Sequence, residues 1–125
     1  MSTPPQQDSN PTDVAPIRMD KEEYLSFIKI TLDDLQELIR QKNNDYTGGK
    51  SNADPFANFR QAADFGVDPL VGLALRMGDK FQRIKAFSQD GKLAVGGEGI
   101  EDAFEDLIGY SLLALGMLEE LKRSK

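Results

Sequence analysis

Three long stretches in which apolar residues recur every three to four positions, each closed by a glycine- or proline-marked interval, point this chain to a helical fold. In the first, Tyr24, Ile28, Leu32, Leu35 and Ile39 share one stripe, widened by Leu25 and Leu38, while Asp33, Asp34, Glu37 and Arg40 lie elsewhere. Asp20 and Glu23 form a capping pair ahead of it, and the spacing predicts a helix of about 24 residues stopped by Gly48 and Gly49. DPFANFRQAADFG, residues 54 to 66, predicts a short helix with Asp54 as cap, Pro55 at its first position and Gly66 at its end. Asp68 and Pro69 repeat that start signal ahead of a second long helix reaching about Ser88. DGKLAVGGEG, residues 90 to 99, is a glycine-rich connection with room for a small extended turn. The last helix is expected over about Ile100 to Lys122. No stretch sustains strand-like alternation, so the expected fold is all-α, an antiparallel bundle of three long helices and one short one.

A chain of 125 residues, 39% of them hydrophobic, suits one domain with a single core. Residues 1 to 19, rich in Pro, Gln and Ser, read as a flexible tail, and residues 20 to 125 as the helical domain. The chain has neither cysteine nor histidine. Disulfides, thiolate nucleophiles and thiolate-held zinc are therefore excluded, along with the commonest general base. Chemistry falls to carboxylates, Lys, Arg, Tyr, Ser and Thr, and a bound metal would be a hard, oxygen-ligated ion, with magnesium the default. No apolar run approaches the roughly 18 residues of a membrane span and the amino terminus lacks signal-peptide order, so a cytoplasmic protein with no membrane partner is expected.

Net charge is −6 but unevenly spread. Residues 1 to 39 carry three basic and eight acidic side chains, residues 40 to 92 nine and six, and residues 93 to 125 three and seven. A basic middle between acidic ends permits an anionic ligand, whereas the overall sign argues against a protein that coats duplex nucleic acid by bulk charge.

Several charges sit where a plain amphipathic helix would not put them. Lys42 follows Leu35 by seven positions and Ile39 by three, so its stem lies on the apolar meridian. Snorkelling, the helix dipole and a positive charge aimed at a pocket mouth all account for it. On the next long helix Arg76, Asp79 and Arg83 share one side with Lys80 beside them. An Asp79 to Arg83 ion pair is the plain reading, but the surplus positive charge suits phosphate oxygens. Glu98, Asp102 and Asp106 follow at four-residue spacing with Glu105 adjacent. The helix dipole explains acidic residues in a first turn but not Asp106, whose line continues into Gly109, Leu113 and Gly116. Carboxylates directed inward call for a cation or basic neighbours, and magnesium held by Asp79, Glu98, Asp102 and Asp106 is the expected centre. The same helix is apolar or small nearly all round in LIGYSLLALGMLEEL, which predicts a homo-oligomer built through it, with Gly109 and Gly116 allowing close approach.

The order KNxDY, DPFxNF, RMxDKxxRI and ExxxDxxxDLxxY, over about residues 22 to 120, resembles the nucleotide modification associated domain carried by many phages. More distantly the chain is similar to all-α nucleotide pyrophosphohydrolases of the MazG and dimeric dUTPase type. The positions that carry the first resemblance are Lys42, Asp45 and Tyr46, then Pro55, Phe56, Asn58 and Phe59. Arg76, Asp79, Lys80 and Arg83 follow, then Glu98, Asp102, Asp106 and Tyr110.

The resemblance implies a nucleotide pocket walled by Lys42, Asp45, Tyr46, Phe56, Asn58 and Phe59, aromatic rings facing a base and Lys42 facing phosphate. Arg76, Lys80 and Arg83 would neutralise phosphates, and Asp79, Asp102 and Asp106 would serve catalysis. It also implies magnesium-dependent cleavage of a nucleoside triphosphate to monophosphate and pyrophosphate. The pyrophosphohydrolase pattern ExxE(12 to 28)ExxD is not matched, because Asp79 stands among basic residues where that pattern has clustered glutamates. Nucleotide binding is the better supported expectation. A binder of single-stranded nucleic acid or of a nucleotide signal is the alternative, its charge drawn from the basic middle and its stacking from Phe56, Phe59, Phe65, Phe81 and Phe87.

Overall fold

The computed structural model describes residues 17–47, 53–90 and 99–124, without the side chains of 45–47 and 90. Among the described residues four helical elements follow in order: α1 (Lys21–Thr47), α2 (Ala57–Arg60, continued as a 3-10 helix Gln61–Phe65), α3 (Pro69–Asp90) and α4 (Ile100–Arg123). No strand occurs among the described residues. The helical expectation is met, with each long helix within a few residues of its predicted bounds. The amino-terminal tail through residue 16, the Gly48–Gly49 stop and the connection over 91–98 lie outside the described residues.

Local chemistry explains the starts. The Glu23 amide donates to Asp20 Oδ1 at 2.8 Å and the Asp20 amide to Glu23 Oε1 at 3.4 Å, the reciprocal pair that satisfies donors left over at a helix start. Asp68 Oδ1 accepts from the Leu70 amide at 2.8 Å and caps α3 as expected, whereas Asp54 Oδ1 accepts from the Phe56 amide at 3.0 Å in the turn ahead of α2, whose own N-cap is Phe56 with no side-chain cap. The short helix begins at Ala57, two residues later than expected, and tightens to 3-10 geometry after Arg60. It ends at Gly66, whose φ of +76° is left-handed, a conformation that costs glycine nothing. At α4 the Asp102 carboxylate turns back to accept from the Gly99 amide at 3.0 Å.

Two compact units divide the chain, residues 1–33 and 34–125, so the boundary falls inside α1. The first unit has no buried residue among those described, and its Tyr24, Leu25, Phe27 and Ile30 are exposed. The second unit holds the core: Leu35, Leu73, Ala103 and Met117 are buried, Leu73 to 1% exposure. Within it α3 packs on α4. The start of α3 (Asp68, Pro69, Leu70) lies with the end of α4 (Met117, Leu121), and Lys80 lies with Asp106, so the two helices run antiparallel. Gly116 is occupied from within the chain: the Phe56 ring sits where a side chain would be, its Cζ only 2.7 Å from an added Cβ. The space left by Gly116 is thus taken by the Phe56 ring, from the residue just ahead of α2.

Candidate functional site

A cavity of about 190 Å³ opens in the second unit between the later turns of α1, the segment through Asp54–Phe59, and one side of α3 and α4. Leu35, Leu38, Ile39 and Leu113 line it with apolar surface, Phe59 and Tyr110 add rings, and Gly109 leaves room because nothing lies within 4 Å of where its side chain would be. That volume is below the roughly 300 Å³ at which pockets for drug-sized ligands begin, so it suits one ring system with the rest of a ligand at the mouth.

Polar groups converge on this apolar lining from each element. Lys42 and Asn43 come from the end of α1, Asn58 from α2, Arg76 from α3, and Glu105 and Asp106 from α4. Asn43 Nδ2 donates to the Pro55 carbonyl at 3.4 Å, which ties the end of α1 to the turn beside it. The Arg76 guanidinium lies 4.9 Å from the centre of the Phe59 ring, a cation over an aromatic face that orients both groups.

The charges are unequally engaged. Asp106 is held by Lys80, with Nζ 2.8 Å from Oδ2, in a pair whose side chains are 14% and 29% exposed. Asp54, on the lining, is bound by Arg60, whose other nitrogen reaches both oxygens of Glu120 at 2.8 and 3.0 Å. The Arg60 hydrogen bonds hold the Asp54 carboxyl below its ordinary range, and Asp54 and Glu120 together push the guanidinium upward. Lys42 and Arg76 form no ion pair with a described residue, so two positive charges at the cavity remain to meet an anion.

Of the residues expected at a site, Lys42, Asn58, Phe59, Arg76 and Asp106 line this cavity. Lys80 reaches it through Asp106. Phe56 does not: its ring covers Gly116 and lies 5.5 Å from the Arg60 guanidinium. Asp79, Arg83 and Asp102 are exposed and off the lining, and Asp102 caps its own helix. Asp45, Tyr46 and Glu98 fall outside the described side chains. Asn43, Glu105, Gly109 and Tyr110 line the cavity without having been singled out for it. Tyr110, one turn beyond Asp106, was signalled by its spacing; Asn43, next to Lys42, carried no signal.

Among the described residues no three carboxylates are grouped to hold a metal ion. The chemistry of the set agrees, since Asp106 is neutralised by a lysine and Asp102 is spent on a cap. The described residues thus do not fit a dedicated magnesium centre. A second cavity, shallower and about 360 Å³, lies beside Arg60 and Met117, but its acids Glu120 and Asp68 are engaged by Arg60 and by the start of α3.

No described helix is long and apolar enough to cross a membrane. No curated protein and no solved structure matches the chain. Residues 63–118, which contribute Arg76, Glu105, Asp106, Gly109, Tyr110 and Leu113 to the cavity, match the family model described as nucleotide modification associated domain 1.

Proposed function

We propose that the cavity binds a nucleotide. Its base would lie inward, beside Phe59 and Tyr110 and against Leu35, Leu38 and Leu113, with the phosphates outward at Lys42 and Arg76. The Asn58 amide offers the donor and the acceptor that a base edge requires. The observation that carries this reading is the pair of cations without a carboxylate partner at the mouth of an apolar cavity the size of one ring system. The matched family's description, association with nucleotide modification, supports the same ligand class.

Binding, not cleavage, is what the geometry favours. Pyrophosphohydrolysis of the MazG type needs carboxylate-held magnesium, and the described carboxylates are not grouped to hold it. A magnesium requirement would then belong to the nucleotide's own phosphates. Melting temperature against nucleoside mono-, di- and triphosphates and a short single-stranded oligonucleotide, with and without magnesium, tests the reading. Ligand binding to the native state alone raises apparent stability. A rise with nucleotides that Arg76→Ala removes supports it. No rise with any nucleotide would sink it, and a magnesium-independent rise with the oligonucleotide alone would replace it with a strand binder.

A further inference from the structure

Three sides of α4 have different neighbours. Ala103 and Met117 are buried, and the α3-facing side carries Asp106 against Lys80. A second side, Glu105, Gly109 and Leu113, lines the cavity. The third side carries Phe104, Ile108, Leu115 and Leu118, all exposed, Phe104 to 51% and Leu115 to 61%. With Ser111 and Lys122 these positions are spaced alternately four and three residues apart, the seam by which one helix packs along another. The helix is 24 residues long, about 36 Å at 1.5 Å per residue, so the seam runs almost its whole length. A contiguous apolar strip of this extent is not stable against water and marks an interaction surface.

The ends of the helix indicate the occupant. The first turn of α4 carries Glu101 and the last carries Lys122, while Asp102 caps its own helix and Arg123 is paired with Glu119. Laid antiparallel on itself, the helix brings the acidic end of each copy beside the basic end of the other, and a two-fold axis near the middle makes both ends complementary at once. Parallel pairing would set like charges together at both ends. We propose that two copies of this chain associate through an antiparallel α4 to α4 seam centred near Ser111 and Leu112, leaving the cavity side of each copy open. None of Phe104, Ile108, Leu115 or Leu118 lines the cavity, so the two surfaces are independent.

Light scattering coupled to size exclusion across a dilution series of the full chain tests this. The wild type should run as a dimer. Leu115→Glu, at an exposed position, should run as a monomer with unchanged far-ultraviolet circular dichroism, and Lys122→Glu should weaken association by roughly tenfold. Glu101→Lys combined with Lys122→Glu should restore it, because the exchanged charges again meet their opposites only in antiparallel pairing. A wild type that stays monomeric, its strip covered by its own chain or kept for another protein, overturns the proposal. So does a dimer that survives Leu115→Glu, or a double exchange that fails to restore what Lys122→Glu removed.

Discussion

Lys80 Nζ stands 2.8 Å from Asp106 Oδ2 and joins the middle of α3 to the first half of α4 at the wall of the cavity. Both side chains are largely withdrawn from water, and among the described residues Lys80 is the cation that pairs with Asp106. Removing Lys80 leaves a poorly solvated carboxylate, whereas removing both charges does not. Lys80→Met should therefore cost about 1 to 3 kcal/mol in urea unfolding, and adding Asp106→Asn should recover part of that loss. A double variant less stable than Lys80→Met would contradict the pairing.

Two glycines about two turns apart on α4 should respond with opposite signs. A methyl at Gly116 meets Phe56 Cζ at 2.7 Å, so Gly116→Ala should destabilise by about 1 to 3 kcal/mol. At Gly109 nothing lies within 4 Å, and Gly109→Ala should gain about 0.5 to 1 kcal/mol from helix propensity. The same methyl enters the cavity, so the more stable Gly109→Ala should bind nucleotide more weakly. Thermal unfolding and calorimetric titration of both variants check this.

Arg60 links Asp54 at the start of α2 to Glu120 near the end of α4. Because its hydrogen bonds lower the Asp54 carboxyl in the folded state, the folded chain gives up this proton more readily than the unfolded one. The stabilisation is complete above the ordinary carboxylate range near pH 4 and is lost as pH falls through the lowered folded value. Arg60→Leu should lower stability at neutral pH by about 1 kcal/mol, a modest figure because the groups face solvent. It should also flatten the acid limb of the stability curve; a limb unchanged in the variant would remove Asp54 from the account.

Arg76 has two features that lysine cannot copy together, a planar cation and a face that lies over Phe59. Arg76→Ala should weaken nucleotide binding by roughly tenfold or more, and Arg76→Lys should recover less than half of that loss in free energy. Lys42→Arg should be tolerated, since a point charge at the mouth has no such geometric demand. Titration of the three variants with one nucleotide decides between a positioned and a merely positive residue at each place.

Leu73 is the most fully enclosed large side chain in the described core, and Leu73→Ala should cost about 2 to 5 kcal/mol by opening a cavity there. Val71 and Leu75 on the same helix are exposed, and alanine there should cost far less. Chemical denaturation of the three variants measures the contrast.

Within this chain the helices and their starts were legible without coordinates, because caps and periodicity act over four residues or fewer. Asp20 with Glu23, Asp68 before Pro69, and Gly66 each did in the structure what local chemistry requires, while Asp54 turned the chain ahead of α2 without capping it. Part of the site was legible too: Lys42 stood out as a charge on an apolar meridian, and Arg76 as part of a surplus of positive charge around Asp79. What an acidic stripe meets is another matter, since that depends on how each helix is turned about its axis and which neighbour comes to rest beside it. Asp102 turned back to cap its own helix, while Asp106, one turn on, reached a lysine of α3. Phe56 filled the hollow at Gly116 while Phe59, three residues later, lined the cavity, and Asn43, Glu105 and Tyr110 joined it there. Sequence spacing determines which residues share a face; only packing between helices decides what that face meets, because the contact is set by shape over tens of residues and not by local order.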